Sequence, residues 1–146
     1  LLQGAFIILV GAIGGLGVNA FRHDGLPLLK TCRKEIAVFS VSEAWRLFQQ
    51  GKAVYLDARE LDIYQSAHLP GALHVPLESA KARERELKKL AGSGKLLITY
   101  CDGQGCNKAL DLAKALAADG VPGVSTMPDG WEGWMEAGFP TAEGRQ

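Results

Sequence analysis

From residue 35 onward, short apolar runs alternate with amphipathic stretches, and glycine, proline or charged residues punctuate the joins. Residues 35–39 have the length and apolar content of a first strand. Ser40-Val41-Ser42-Glu43 has the spacing of a capping box, in which hydroxyl and carboxylate each serve the other residue's backbone N–H. It predicts a helix through Gln50, ended by Gly51. A second buried strand over 53–56 finishes at Asp57-Ala58-Arg59-Glu60, and residues 61–67 make a short helical turn leading to His68-Leu69-Pro70-Gly71-Ala72, where proline and glycine demand a turn. Residues 73–75 form a third strand closed by Pro76. The charge-dense stretch 79–90 predicts a helix, with Glu84 and Lys88 spaced to pair along one face and Leu87 and Leu90 left for the core. Residues 95–100 are apolar and partly β-branched without strict alternation, as a parallel strand covered on both faces requires. Ala109, Leu112, Ala113 and Leu116 predict a helix over 108–118 with Gly120 as its stop, followed by a last strand over 123–127 and a closing helix over 131–137. Strand and helix alternate throughout. The pattern predicts an α/β domain with a central parallel sheet of about five strands, helices on both faces and a site at the C-terminal strand ends.

Residues 1–21 break this rhythm. They carry no charge, and only Gln3 and Asn19 are strongly polar, so the stretch is long and apolar enough to cross a bilayer. Three readings stay open: a membrane anchor; a signal-like segment, in which Val18-Asn19-Ala20 resembles a cleavage site without a basic n-region; and a helix buried in a soluble fold or shared with another copy. Gly11 and Gly15 form a small-xxx-small pair that would let two such helices approach, a route to a homo-oligomer. Residues 22–34, with Gly25 and Pro27, read as a linker before the domain at 35–146. Arg22, Lys30, Arg33 and Lys34 favour a cytoplasmic domain by the positive-inside rule, although only one flank enters the comparison. The expectation is membrane association, on the cytoplasmic or periplasmic face of a bacterial-type membrane.

The length of 146 residues suits one such domain and little else. Sixteen basic residues balance sixteen acidic ones, so no net field draws the chain toward nucleic acid, and a nucleic-acid role is set aside. Cys32, Cys101 and Cys106 are too few and too unevenly spaced for a disulfide framework or a four-thiolate zinc site, and with His23, His68 and His74 they announce no metal site. At least one cysteine should be free or reactive.

Cys101 is the candidate. It stands where a buried strand should end and a helix begin, in Tyr100-Cys101-Asp102-Gly103-Gln104-Gly105-Cys106-Asn107. Amides of that loop and of the helix start can point at a thiolate, or at an anion bonded to it, and stabilise either.

Four segments, in order over about residues 36–140, resemble the rhodanese family of sulfurtransferase-type domains. They are Leu56-Asp57-Ala58-Arg59-Glu60, Ala67-His68-Leu69-Pro70-Gly71-Ala72, Tyr100-Cys101, and Gly130-Trp131 through Trp134, Gly138 and Pro140. The resemblance implies a rhodanese-like three-layer domain. In it Cys101 would accept a sulfane sulfur from a small donor, hold it as a persulfide and pass it to a thiol or to cyanide, with no cofactor and no metal. The loop backbone of Asp102, Gly103, Gln104, Gly105, Cys106 and Asn107 would cradle the charged persulfide, supported by Asp57, Arg59 and His68. Asp102 and Cys106 stand where many active members carry Arg or Lys. A carboxylate so close raises a thiol's pKa and repels an anionic donor, which argues against thiosulfate. The phosphatase branch of the fold needs an Arg closing the loop, and none is present.

Two alternatives accompany this reading. Cys101 and Cys106 could work together as a thiol–disulfide or persulfide relay, with Cys106 as the resolving thiol, against a plain role for Cys106 as a small filler under the helix start. The domain could also be a non-catalytic binding module. Asp57 and Arg59 are read as a buried ion pair, His68 as pinning its turn, Trp131 and Trp134 as packing residues, and Lys108 as facing solvent.

Overall fold

The structure is a computed structural model that describes residues 35–144; the apolar stretch 1–21 and the linker 22–34 lie outside the described residues. Its elements are β1 (Ala37–Val38), α1 (Val41–Gln49), β2 (Ala53–Asp57), α2 (Leu61–Ser66), β3 (Leu73–His74), a 3-10 turn (Leu77–Ser79), α3 (Ala80–Gly92), β4 (Leu96–Tyr100), α4 (Lys108–Ala118), β5 (Val124–Thr126) and α5 (Gly130–Glu136). The strands form one sheet in the order β1-β5-β4-β2-β3, and every pairing is parallel.

Period-two alternation along the two central strands divides the core. In β2 and β4 the register sets Val54 beside Leu97 and Tyr55 beside Ile98. Val54, Leu56 and Leu97 pack with Leu87 and Ala91 of α3 and with Ala109, Leu112 and Leu116 of α4. On the other face Ala53, Tyr55, Ile98 and Tyr100 pack with Val41 and Ala44 of α1, Tyr64 of α2 and Trp134 of α5. Three layers result, helix–sheet–helix, because both faces of the central strands are apolar and both must be covered. Trp134 anchors the second layer: it is fully buried, edge-on to Trp45, Tyr55 and Phe139 at centroid distances of 5.4, 5.3 and 5.1 Å, and its indole N–H donates to the Pro140 carbonyl at 2.9 Å.

Local signals hold closely at the helix starts. Ser40 accepts from the Glu43 N–H at 3.3 Å, and Glu43 accepts from the Ser40 N–H at 3.0 Å, completing the reciprocal cap of α1. Ser40→Ala is expected to cost about 1 kcal/mol of stability, read as a lower midpoint in urea unfolding at unchanged slope. Glu84 and Lys88 do pair along α3, at 2.6 Å. Lys81 joins them at 2.8 Å, and these hydrogen bonds pull the half-buried Glu84 carboxyl down to about 2. The boundaries differ from expectation by more than one residue in two places. The stretch opening at 79 begins with a 3-10 turn after Pro76, and its α-helix runs on to Gly92, past Leu90, because Ala91 is still buried against the sheet. The first strand shrinks to Ala37–Val38, both exposed at the sheet edge where pairing is on one side alone. No helix among the described residues is long and apolar enough to cross a membrane.

The strand order places the site. The chain leaves β2 toward β3 on one side of the sheet and leaves β4 toward β5 on the other, through α2 and α4, which pack on opposite faces. A crevice opens where such connections diverge, at the C-terminal ends of β2 and β4. Asp57 ends β2 and Cys101 follows β4.

Candidate active site

Cys101 follows Tyr100, so the sheet's alternation splits their roles. Tyr100 points into the α1/α2/α5 core, and Cys101 belongs to the α3/α4 side and is 1% exposed. The loop's exit is fixed from behind: the buried Thr99 hydroxyl donates to the Ala109 carbonyl in the first turn of α4 at 2.8 Å. Beyond Cys101 the chain turns sharply, with the Cys106 N–H donating to the Gly103 carbonyl at 3.1 Å and Gly105 at φ +94°, a conformation that favours glycine. That turn folds the loop back on itself. Cys106 comes over Cys101, their Cα atoms 6.4 Å apart, and the two sulfurs are joined as a disulfide. Cys106 is half-buried and packs against the same core cluster as Cys101.

The loop amides divide into used and unused ones. The Cys106 N–H is committed to the turn, which removes it from the cradle. The N–H groups of Asp102, Gly103, Gln104, Gly105 and Asn107 find no protein acceptor among the described residues.

The C-terminal helix grips the same loop from outside. The Trp131 and Glu132 N–H groups, at the start of α5, donate to the carbonyls of Cys101 and Asp102 at 2.8 and 2.7 Å. Only glycine permits this approach. Gly130 has φ +54°, and a Cβ there would fall 2.3 Å from the Cys101 carbonyl oxygen. Gly103 is pressed in the same way, with the Glu132 carboxylate where its Cβ would be. Gln104 adds a tie from its side-chain amide to Asp129 Oδ1 at 2.9 Å.

Beneath the loop lies a buried polar knot. Arg59 and Asp57 are 2% and 0% exposed. The guanidinium holds the carboxylate through Nε–H to Oδ1 at 3.0 Å and Nη2–H to Oδ2 at 2.7 Å. The Arg59 N–H donates to the same carboxylate at 2.9 Å, and Nη2 also reaches the Ala67 carbonyl at 2.8 Å. The Tyr100 hydroxyl donates to Asp57 Oδ2 and accepts from the Leu69 N–H at 3.2 Å. Burial, and then the neighbouring Asp57 charge, push the Tyr100 phenol far above the usual tyrosine range, so it stays a donor. The guanidinium carbon sits 4.7 Å from the centre of the Trp131 ring, which covers it. This knot ties the end of β2, the start of the Leu69-Pro70-Gly71 turn, β4 and α5 into one frame.

The sequence-predicted residues are not all brought to one point. Asp102 to Cys106 surround Cys101, and Asp57 and Arg59 lie below as a structural pair. His68 is fully buried, stacked on Tyr64 at 4.1 Å, with Nδ1 2.9 Å from the Tyr64 carbonyl. Its backbone bridges to Ala142, which pins the turn. His74, which has no partner in view in the sequence, sets Nε2 2.9 Å from the Arg59 carbonyl. Lys108 is exposed and pairs with Glu60 at 2.7 Å; that hydrogen bond holds its ammonium above the usual lysine value. Sequence reasoning assigned no role to Tyr100, Glu60 or Glu132. For Tyr100 the signal was available in the pairing of two strand ends, since Asp57 and Tyr100 are register partners. No group of three or more potential metal ligands occurs among the described residues.

The chain is similar to known proteins in sequence and in fold. A family model described as the rhodanese-like domain matches residues 40–137. The chain is 32% identical over 103 residues to an HTH-type transcriptional regulator of Mycobacterium tuberculosis, covering 70% of this chain and 43% of the regulator, so it spans less than half of that relative. It is 30% identical over 101 residues to the thiosulfate sulfurtransferase GlpE of Coxiella burnetii, covering 69% of this chain and 88% of GlpE. A crystal structure of a Bacillus halodurans protein superposes with a TM-score of 0.63 at 26% identity, covering 73% of this chain and 77% of that one.

Proposed function

This chain belongs to the rhodanese-like domain family, and from that premise we propose that it is a sulfurtransferase in which Cys101 accepts a sulfane sulfur as a persulfide and passes it to a thiol or cyanide acceptor. The observation that carries the reading is the position of Cys101. It follows the central strand β4, where the connections leaving β2 and β4 diverge, inside a loop with five unspent N–H groups. Amides without acceptors favour an anion bonded to the cysteine, and a persulfide is ionised near neutral pH. Kinship to GlpE, named as a thiosulfate sulfurtransferase and covered over 88% of its length, supports the class of reaction.

The surroundings favour a different donor. Asp102 adjoins the nucleophile, Glu132 presses on Gly103, and Lys108 is engaged by Glu60. A dianion such as thiosulfate meets repulsion here and no free cation in the loop, whereas the reacting group of a low-molecular-weight persulfide brings a single negative charge. The test is to reduce the full chain, remove the reductant and incubate separate samples with glutathione persulfide, mercaptopyruvate and thiosulfate. Intact mass followed by peptide mapping then locates any added sulfur. Sulfur uptake, read either as a gain of one sulfur atom on Cys101 or as hydrosulfide released after uptake, and larger with glutathione persulfide than with thiosulfate, is the expected result. Absence of sulfur uptake and of any sulfide release with all three donors would sink the proposal.

A further inference from the structure

The loop contains two thiols. A persulfide on Cys101 has two sulfurs open to attack, and the choice between them decides the product. Attack on the outer sulfur transfers it onward; attack on the inner sulfur, Cys101 Sγ, expels the outer one. With 1% of Cys101 exposed, an external nucleophile reaches the outer sulfur far more readily than the inner one. Cys106 is differently placed. The Gly103–Cys106 turn holds it inside the loop, with its Cα 6.4 Å from that of Cys101, and the bond between the two sulfurs is the covalent product that inner-sulfur attack leaves.

Resting on the reading of Cys101 as the persulfide carrier, we propose that Cys106 is a resolving thiol that converts the loaded site to a disulfide and releases the sulfur as hydrosulfide. The step balances as Cys101–S–S⁻ plus HS–Cys106 giving Cys101–S–S–Cys106 plus HS⁻. The Cys106 sulfur forms the new bond to Cys101 Sγ and is oxidised. The old S–S bond breaks, its electron pair leaves with the outer sulfur, which is reduced, and the Cys106 proton goes with it. The nearby carboxylates of Asp102 and Glu132 disfavour retention of the departing anion. Resetting the site needs an external dithiol reductant, which takes up the two oxidising equivalents as its own disulfide. The activity is thus persulfide reduction, with a small persulfide as substrate and a dithiol as the second substrate.

The experiment uses the full reduced chain, freed of reductant and given one equivalent of glutathione persulfide, with hydrosulfide measured alongside intact mass. The wild-type chain is expected to release stoichiometric hydrosulfide and end as the Cys101–Cys106 disulfide. Cys106→Ser and, as a second packing variant, Cys106→Ala are expected to keep the sulfur as an adduct on Cys101 and to release hydrosulfide about tenfold more slowly or less. Equal release and equal adducts in all three proteins would overturn the resolving role while leaving the persulfide reading intact. Failure of all three to take up sulfur or release hydrosulfide would overturn both.

Discussion

Cys101→Ser is expected to abolish sulfur uptake from every donor and to lower sulfur transfer by at least about a thousandfold, equivalent to about 4 kcal/mol of barrier. The reason is chemical. A serine hydroxyl is far more weakly acidic than a thiol and forms no persulfide, so the loop amides have nothing to hold. The substitution is otherwise mild: it replaces one small buried side chain by another, and the serine hydroxyl can donate to the Cys106 carbonyl oxygen, which lies 3.3 Å from Cys101 Sγ. Breaking the disulfide removes a constraint on a short loop only, and comparison with the reduced wild-type chain isolates that contribution. Circular dichroism and urea unfolding of the variant should therefore match the reduced parent. Sulfur uptake persisting in the variant would place the chemistry on another residue.

Arg59→Met should produce the largest loss of stability, about 3–5 kcal/mol. Methionine keeps much of the apolar stem under Trp131 but strips the Asp57 carboxylate of its only charged partner in the knot. What remains around that carboxylate is the Tyr100 hydroxyl and the backbone N–H of residue 59, which do not offset the desolvation of a wholly buried anion. Urea or guanidinium unfolding reads the loss. The double variant Asp57→Asn with Arg59→Met is expected to recover part of it, because the uncompensated charge is gone. A double variant as unstable as the single one would assign the loss to the Arg59 contacts with Ala67 and Trp131 instead.

Much of the frame was readable from the chain, for reasons that are local. Two apolar central strands required cover on both faces, Ser40 and Glu43 announced their cap by spacing alone, and a cysteine just past a buried strand was placed correctly by the apolar run before it. Asp57 and Arg59 could be paired because two residues at a strand end share one carboxylate's reach. The features that escaped depend on the path of the chain. A spacing of five residues does not bring two cysteines together; the Gly103–Cys106 turn does, and its geometry rests on a positive φ at Gly105. Trp131 over Arg59, Tyr100 on Asp57 and Glu132 against Gly103 join positions far apart along the chain, and no periodicity encodes them. The apolar stretch 1–21 belongs to neither group, since it lies outside the described residues.

The grip of α5 on the loop has a consequence for the order of events during synthesis. The carbonyls of Cys101 and Asp102 are held by N–H groups of Trp131 and Glu132, which follow them by an entire helix and strand. A nascent chain that has exposed its cysteine pair but not yet residue 132 has the two thiols without the contacts that hold their loop. The proposed sulfur chemistry would therefore arrive late, with α5, and an unfinished or C-terminally clipped chain would present two loose cysteines in place of the held loop.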